Sequence, residues 1–196
     1  MANSAVGTKN RPYQVVLSYK SGETTNAITS GTPVVLQCNG VNAVGDGYSV
    51  VLPASATANL AAGLTMGIAV NPQSWSAGQY GDVIVGGFVP NAKYVMASRA
   101  ATNNNWASFV AAALGDVLTV DTVRNALYWS ATSPAGAMQQ FVLMDSWASA
   151  TTIASQTADT VYTWANTLNT TFTSLTLSAA STVATVGVRV FIHDIG

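Results

Sequence analysis

Charge is the scarcest property of this 196-residue chain: Asp, Glu, Lys and Arg together make up 8% of it, against about 25% in ordinary globular domains. The missing polarity is replaced by Ser, Thr, Asn and Gln, so the surface is solvated by hydroxyls and amides, and long-range fields do little for it. The net charge of −1, with seven scattered Lys and Arg in all, argues against a nucleic-acid-binding surface, because counterion release needs clustered cations. Nucleic acid is therefore not an expected partner. With one cysteine, Cys38, no intramolecular disulfide can form, and its place after Val34-Val35-Leu36-Gln37 reads as a small buried side chain. One cysteine and one histidine, His193, cannot supply a zinc site, which takes three or four ligands at short spacing. No apolar run approaches the roughly 18–20 residues of a membrane span. The first ten residues lack an apolar signal core, so neither a secretory leader nor a membrane is expected.

Hydrophobic residues nevertheless form 49% of the chain, ample for one sizeable core. Gly, Pro, Asn and Ser punctuate short runs rich in Val, Leu, Thr and aromatics, the pattern of many short strands. The runs are Tyr13–Tyr19, Pro33–Cys38, Tyr48–Leu52, Thr65–Val70, Gly81–Val89, Tyr94–Ser98, Val117–Val120, Ala126–Ser130, Gln139–Met144 and Val186–His193. Alternation is cleanest in the last, where Val186, Val188, Val190 and Ile192 share one face, opposite Gly187, Arg189, Phe191 and His193. Trp106, Phe109, Val110, Ala113 and Leu114 recur at helical spacing, between Asn103-Asn104-Asn105 as caps and Gly115 as a stop. That spacing predicts a short helix. Between Thr160 and Leu175 periodicity and propensity disagree: Val161, Trp164, Leu168, Phe172 and Leu175 have helical spacing, but the many threonines oppose helix. Residues 148–160 read as an exposed Thr-rich loop. The fold class expected is mainly all-β, a barrel or sandwich of about ten short strands with one or two short helices.

A faint internal echo runs through the chain. Gly31–Leu36, Tyr48–Leu52, Leu64–Val70 and Gly81–Val85 are answered by Gly115–Val120, Ala126–Trp129, Gln140–Met144 and Gly187–Phe191. Such an echo predicts one pseudo-symmetric β structure in place of two independent domains. The organisation expected is a short N-terminal segment over 1–12, a β domain over 13–147, an insertion or loop-rich segment over 148–185, and a final strand over 186–196 that returns to the β domain. A long insertion at a loop tip is tolerated and is a natural place for contact with a partner.

Catalytic chemistry finds little support. His193 has Asp194 as its sequence neighbour on a strand, facing the other way, and no evident base partner. Asp82, Asp116, Asp121 and Asp145 sit at strand edges or turns, where aspartate is a common turn former. Gly78–Asp82 and Gly86-Gly87 lack the Lys-Ser/Thr and the following helix of a phosphate loop; two glycines inside a strand indicate a bulge or a close backbone approach. No cofactor and no enzymatic activity are expected. Five tryptophans, Trp75, Trp106, Trp129, Trp147 and Trp164, suit a core or a subunit contact, and surface aromatics would also suit sugar stacking.

At Gly31-Thr-Pro-Val-Val-Leu36, Met66-Gly-Ile-Ala-Val70 and Ser76–Gly87 the chain resembles bacteriophage head decoration (capsid cement) proteins. Their strand openings run Gly-x-Pro-Val-x-Leu, then Gly-Ile-Ala, then Ala-Gly-x-x-Gly-x-Val. Leu114-Gly-Asp-Val-Leu-Thr-Val-Asp121 resembles a further opening of that family. The resemblance covers roughly Ile28 to Met144 and implies a β-barrel or β-tulip domain on the outer surface of an expanded head. The partners it implies are the major capsid protein and further copies of the chain, as a trimer or dimer. It implies a location on the capsid surface after synthesis in the host cytoplasm. An N-terminal arm would reach the capsid, with Lys9, Arg11, Pro12 and Tyr13 as the contact residues. The 148–185 segment departs from the shorter members of the family. Another virion component, such as a tail or fibre part, and a carbohydrate-binding or adhesin module are the alternative expectations.

Overall fold

Turns built on Gly, Asn and Asp join strand to strand in the computed structural model, which describes residues 13–37, 49–55, 65–71, 73–99, 106–108, 113–129, 139–145, 160–166, 169–177 and 183–194. In chain order the strands are β1 (Gln14–Ser21), β2 (Pro33–Leu36), β3 (Ser49–Val51), β4 (Thr65–Ala69), β5 (Tyr80–Arg99), β6 (Trp106–Ser108), β7 (Val117–Asp121), β8 (Ala126–Trp129), β9 (Gln139–Leu143), β10 (Thr160–Asn166), β11 (Asn169–Leu177) and β12 (Val183–Asp194). A 3-10 turn at Pro53–Ser55 is the only helical element among the described residues. The protein is all-β.

Ten of the strands form one sheet, and its pairings close into two five-membered circuits. In the first, β1, β3, β2, β4 and β5 follow one another and β5 returns to β1. In the second, β5, β8, β7, β9 and β12 follow and β12 returns to β5. Strand direction cannot alternate all the way round an odd ring, so each circuit has one parallel pair: β1 with β3, and β5 with β8. The long β5 belongs to both. Its two expected pieces, Gly81–Val89 and Tyr94–Ser98, are one strand of 20 residues despite Pro90. Pro90 and Asn91 fall between the pairs Val89↔Val190 and Ala92↔Val188, so two residues face Arg189 alone. That bulge accommodates a residue with no N–H to give.

Each circuit encloses an apolar core. Tyr19, Ile28, Val34, Val50, Leu52, Ala69, Trp75 and Val83 fill the first. Val89, Ala92, Tyr94, Leu118, Leu127, Phe141, Leu143, Val188, Val190 and Ile192 fill the second, joined by Ile68 and Ile84 from β4 and β5. Each large aliphatic or aromatic side chain removed from water in this way contributes about 1.5–3 kcal/mol. The alternation read in β12 holds for its described side chains: Val188, Val190 and Ile192 are buried, while Arg189 and Phe191 are half-buried and His193 is exposed.

The internal echo is a structural repeat. β2–β3, β2–β4 and β4–β5 are antiparallel, as are β7–β8, β7–β9 and β9–β12. β1 pairs with β3 in parallel and with β5 antiparallel, just as the second half of β5 pairs with β8 and β12. Hydrogen bonds repeat as well. The Gly31 N–H donates to the Ala69 carbonyl at 2.7 Å and that of Gly115 to Leu143 at 2.9 Å. The Ala69 N–H donates to Thr32 at 2.9 Å, and that of Leu143 to Asp116 at 2.8 Å. Gly31 and Gly115 have φ of 81° and 91°, left-handed values that a residue with a Cβ adopts only under strain, so glycine opens both units. The sequence echo is off by one at its last strand: Val83 and Val190 hold equivalent places opposite Ala69 and Leu143, which makes Gly187 the counterpart of Tyr80, not of Gly81.

The expected helix is corrected. Trp106–Ser108 is not the start of a helix; it is β6, paired antiparallel with Ala97–Arg99 of β5. The edge of a long strand satisfies its backbone groups, and that tertiary pairing overrides local periodicity. Phe109 and Val110 lie outside the described residues, as does the loop expected over 148–160 up to residue 159. The conflict over Thr160–Leu175 resolves in favour of β-propensity: β10 and β11 pair antiparallel as a separate two-stranded sheet. The final strand begins at Val183, three residues before the expected Val186.

Candidate functional site

An exposed apolar surface lies along β1. Val15-Val16-Leu17 places apolar side chains on both faces of the strand in succession, and Val16 and Leu17 are 45% and 47% exposed. Tyr13, just before the strand, is 70% exposed. The face carrying Tyr13, Val15, Leu17 and Tyr19 lines a groove of about 310 Å³, closed on its far side by Val85, Gly86, Gly87, Phe191 and His193. Gly87, with φ of 87°, lies under the Tyr13 carbonyl, where a Cβ would collide with it, and β1 shifts register against β5 between Val15 and Val16. The glycine pair thus marks both a close approach and a neighbouring irregularity, as its place inside a strand indicated. Of the residues expected to contact a capsid, Tyr13 sits at the rim of this groove; Lys9, Arg11 and Pro12 lie outside the described residues, as does Cys38.

Among the described residues one edge of β1 is open. The Tyr13 carbonyl accepts from Phe88 N–H, and Ser21 exchanges bonds with Gly78 and Gln79, so odd-numbered residues of β1 point their backbone groups toward β5. Alternation turns the N–H and C=O groups of Gln14, Val16 and Ser18 to the opposite edge. There β3 reaches only Lys20 and Ser21, so among the described residues no strand pairs with Gln14–Tyr19 on that side.

The carboxylates expected as turn formers are engaged locally. Asp121 accepts from the N–H groups of Val123 and Arg124 and pairs with the Arg124 guanidinium at 2.5 Å, closing the β7–β8 turn. Asp116 accepts from Ala113 N–H, and Asp82 from the Ser18 hydroxyl. Asp145 accepts from the backbone N–H of Arg189 at 2.7 Å and from its Nε at 2.6 Å. Asn71 holds the equivalent place in the first unit, its side-chain oxygen accepting from Asp82 N–H at 2.8 Å. A shallow hollow beside the β7–β8 turn, lined by Val95, Val120, Thr122 and Tyr128, is thus flanked by an arginine and an aspartate that already face each other.

Three polar positions escaped sequence reading. Glu23 is buried; its carboxylate accepts from Leu52 N–H at 2.7 Å and from the Ser55 hydroxyl at 3.1 Å, tying the start of the chain to the 3-10 turn. Lys93 donates to the hydroxyls of Thr29 and Thr32, and partial burial lowers its pKa. Arg189 supplies the ion pair to Asp145. The first two rest on tertiary contacts between residues distant in sequence, and nothing in a local pattern signals them. Val15-Val16-Leu17 did carry a signal: three consecutive apolar residues break the alternation of a strand with one wet face. Among the described residues no three His, Cys, Asp or Glu side chains gather as metal ligands, and none of the helices is long and apolar enough to cross a membrane. Trp75 lies in the first core and Trp129 packs against the second.

The class defined by these features is an all-β protein of two fused five-stranded units, with an apolar first strand whose outer edge is unpaired among the described residues. Comparison of the chain with profiles of known protein families, with curated proteins and with solved structures returns no match.

Proposed function

We propose that the chain is a structural virion protein that binds the outer surface of a phage capsid and stabilises the expanded head. The observation that carries this reading is the set of large apolar side chains standing in solvent on a charge-poor surface: Tyr13, Val16, Leu17, Tyr80, Leu114 and Val123. Apolar contacts of this kind are individually weak, yet repetition over a lattice multiplies them. Low charge suits it too, since little charge keeps neighbouring copies apart. The segments that resemble head decoration proteins occupy the openings of β2, β4, β5 and β7, and of these β2 and β7 hold matching positions in the two units. The groups of Asp82, Asp116, Asp121, Asp145 and Glu23 are engaged in turns, caps and ties, consistent with a protein that works by contact. The test is mechanical: purified protein added to undecorated, expanded heads raises the temperature at which they release DNA. Heads that release DNA at an unchanged temperature, at saturating protein, refute the stabilising role.

A further inference from the structure

We infer that the open edge of β1 is the contact between two copies of this chain, joined as antiparallel β1 strands about a two-fold axis through Val16. The inference is independent of the capsid reading and rests on three observations.

Edge strands of native proteins are normally blunted by charged residues, proline or a bulge of the strand itself. From Tyr13 to Tyr19 the sequence Tyr-Gln-Val-Val-Leu-Ser-Tyr has none of these; the register shift against β5 places its extra residue, Val85, on β5 and leaves β1 regular. Such an edge in a soluble chain is one that something covers.

The second observation concerns the matching edge in the other unit. Val16 and Leu17 face Ile84 and Val83 across β5, and Phe88 and Val89 face Phe191 and Val190 across β12, so Phe88 and Val89 are their counterparts. Val89 is wholly buried where Leu17 is 47% exposed. The counterpart edge receives main-chain partners from the first unit: Phe88 N–H donates to Tyr13 and Lys93 N–H to Gly31. Among the described residues nothing does the same for Gln14–Tyr19 of β1.

The third observation selects the occupant. The outward groups belong to Gln14, Val16 and Ser18, and an antiparallel copy centred on Val16 sets Val16 opposite its own mate and Gln14 opposite Ser18. All three become hydrogen-bonded pairs, each exchanging both N–H···O=C bonds. On the groove face the same register sets Val15 opposite Leu17 and Tyr13 opposite Tyr19, apolar against apolar. Polarity is thus matched along the whole segment without opposing a like charge to a like charge, which a directly opposed pair penalises. The strand is self-complementary, the condition for a two-fold contact.

The expected result is a monomer–dimer equilibrium in sedimentation velocity of the intact protein without heads. Val16→Lys, which opposes two ammonium groups at the axis of an exposed site, weakens association at least tenfold while leaving the far-UV spectrum unchanged. Hydrogen-bonded antiparallel pairs hold Cα atoms about 5.5 Å apart, within the range a disulfide spans. Val16→Cys in a Cys38→Ser background therefore cross-links to a dimer under mild oxidation, while Val123→Cys in the same background does not. A protein that stays monomeric up to about 100 µM, a concentration that would reveal even a weak contact, overturns the inference, as does a dimer indifferent to Val16→Lys. A monomer whose binding to heads is lost in Val16→Lys also overturns it, because the edge then belongs to the capsid.

Discussion

Replacing Asp145 tests whether the two units are held by equivalent devices. Its carboxylate does two things for Arg189: one oxygen accepts from the backbone N–H, the other faces the guanidinium. Asn71 performs only the first for Asp82. Asp145→Asn keeps an oxygen for the backbone N–H and loses the ion pair. With the Arg189 side chain 31% exposed, that pair is partly screened, and its loss costs about 1 kcal/mol. Asp145→Ala also strips the backbone N–H of a charged acceptor, adding about 2 kcal/mol. For a chain of this length 1 kcal/mol moves Tm by roughly 2–4 °C, so the expected falls are about 2–4 °C for Asp145→Asn and about 6–12 °C for Asp145→Ala. Scanning calorimetry of both variants, with urea midpoints as a check, separates the two. Equal falls would show that the charge, and not the cap shared with Asn71, holds the junction, and would refute the equivalence.

The other predictions follow from burial. Val89→Ala costs about 2 kcal/mol by opening a buried site, while Leu17→Ala at the equivalent exposed place costs less than about 1 kcal/mol; urea unfolding of the pair checks it, and equal costs would show that Leu17 is covered within the monomer. Glu23→Ala leaves the buried Leu52 N–H without its acceptor and costs about 2 kcal/mol, read as a lower urea midpoint. Alkaline unfolding tests Tyr94, whose phenol burial pushes well above its ordinary value of 10.0. Folded Tyr94 keeps its proton while the unfolded chain loses it, so this stability is intact below pH 10 and lost as pH rises beyond it. Lys93, lowered from 10.5 by burial, slopes the other way, since the unfolded chain binds the extra proton. Tyr94→Phe should flatten the fall in stability above pH 10; an unchanged slope contradicts the assignment.

Strand positions were legible because their determinants are local. Gly31-Thr-Pro-Val-Val-Leu36 and Gly115-Asp-Val-Leu-Thr-Val120 show a turn glycine followed by apolar residues, and each opens a strand of equivalent place. The repeat was legible as an echo, yet its last strand was set one residue out, because Gly81 and Gly187 attract alignment although they are not equivalent. What failed depended on distant partners. Pro90 divided β5 on paper, but the bulge that admits it is made opposite Arg189, some hundred residues away in the chain. Trp106–Ser108 had helical spacing, and only the edge of β5 made it a strand. The groove draws its walls from β1, β5 and β12, so its residues shared no motif, although Val15-Val16-Leu17 alone announced a strand with no wet face.

We propose that this protein binds a capsid lattice through many equivalent contacts. Purified protein titrated onto undecorated, expanded heads, pelleted and counted per particle, tests it most directly. Saturation at a copy number fixed by the lattice symmetry is the expected result. Well-folded protein that leaves the pellet bare, or binds without saturating at any lattice number, contradicts it.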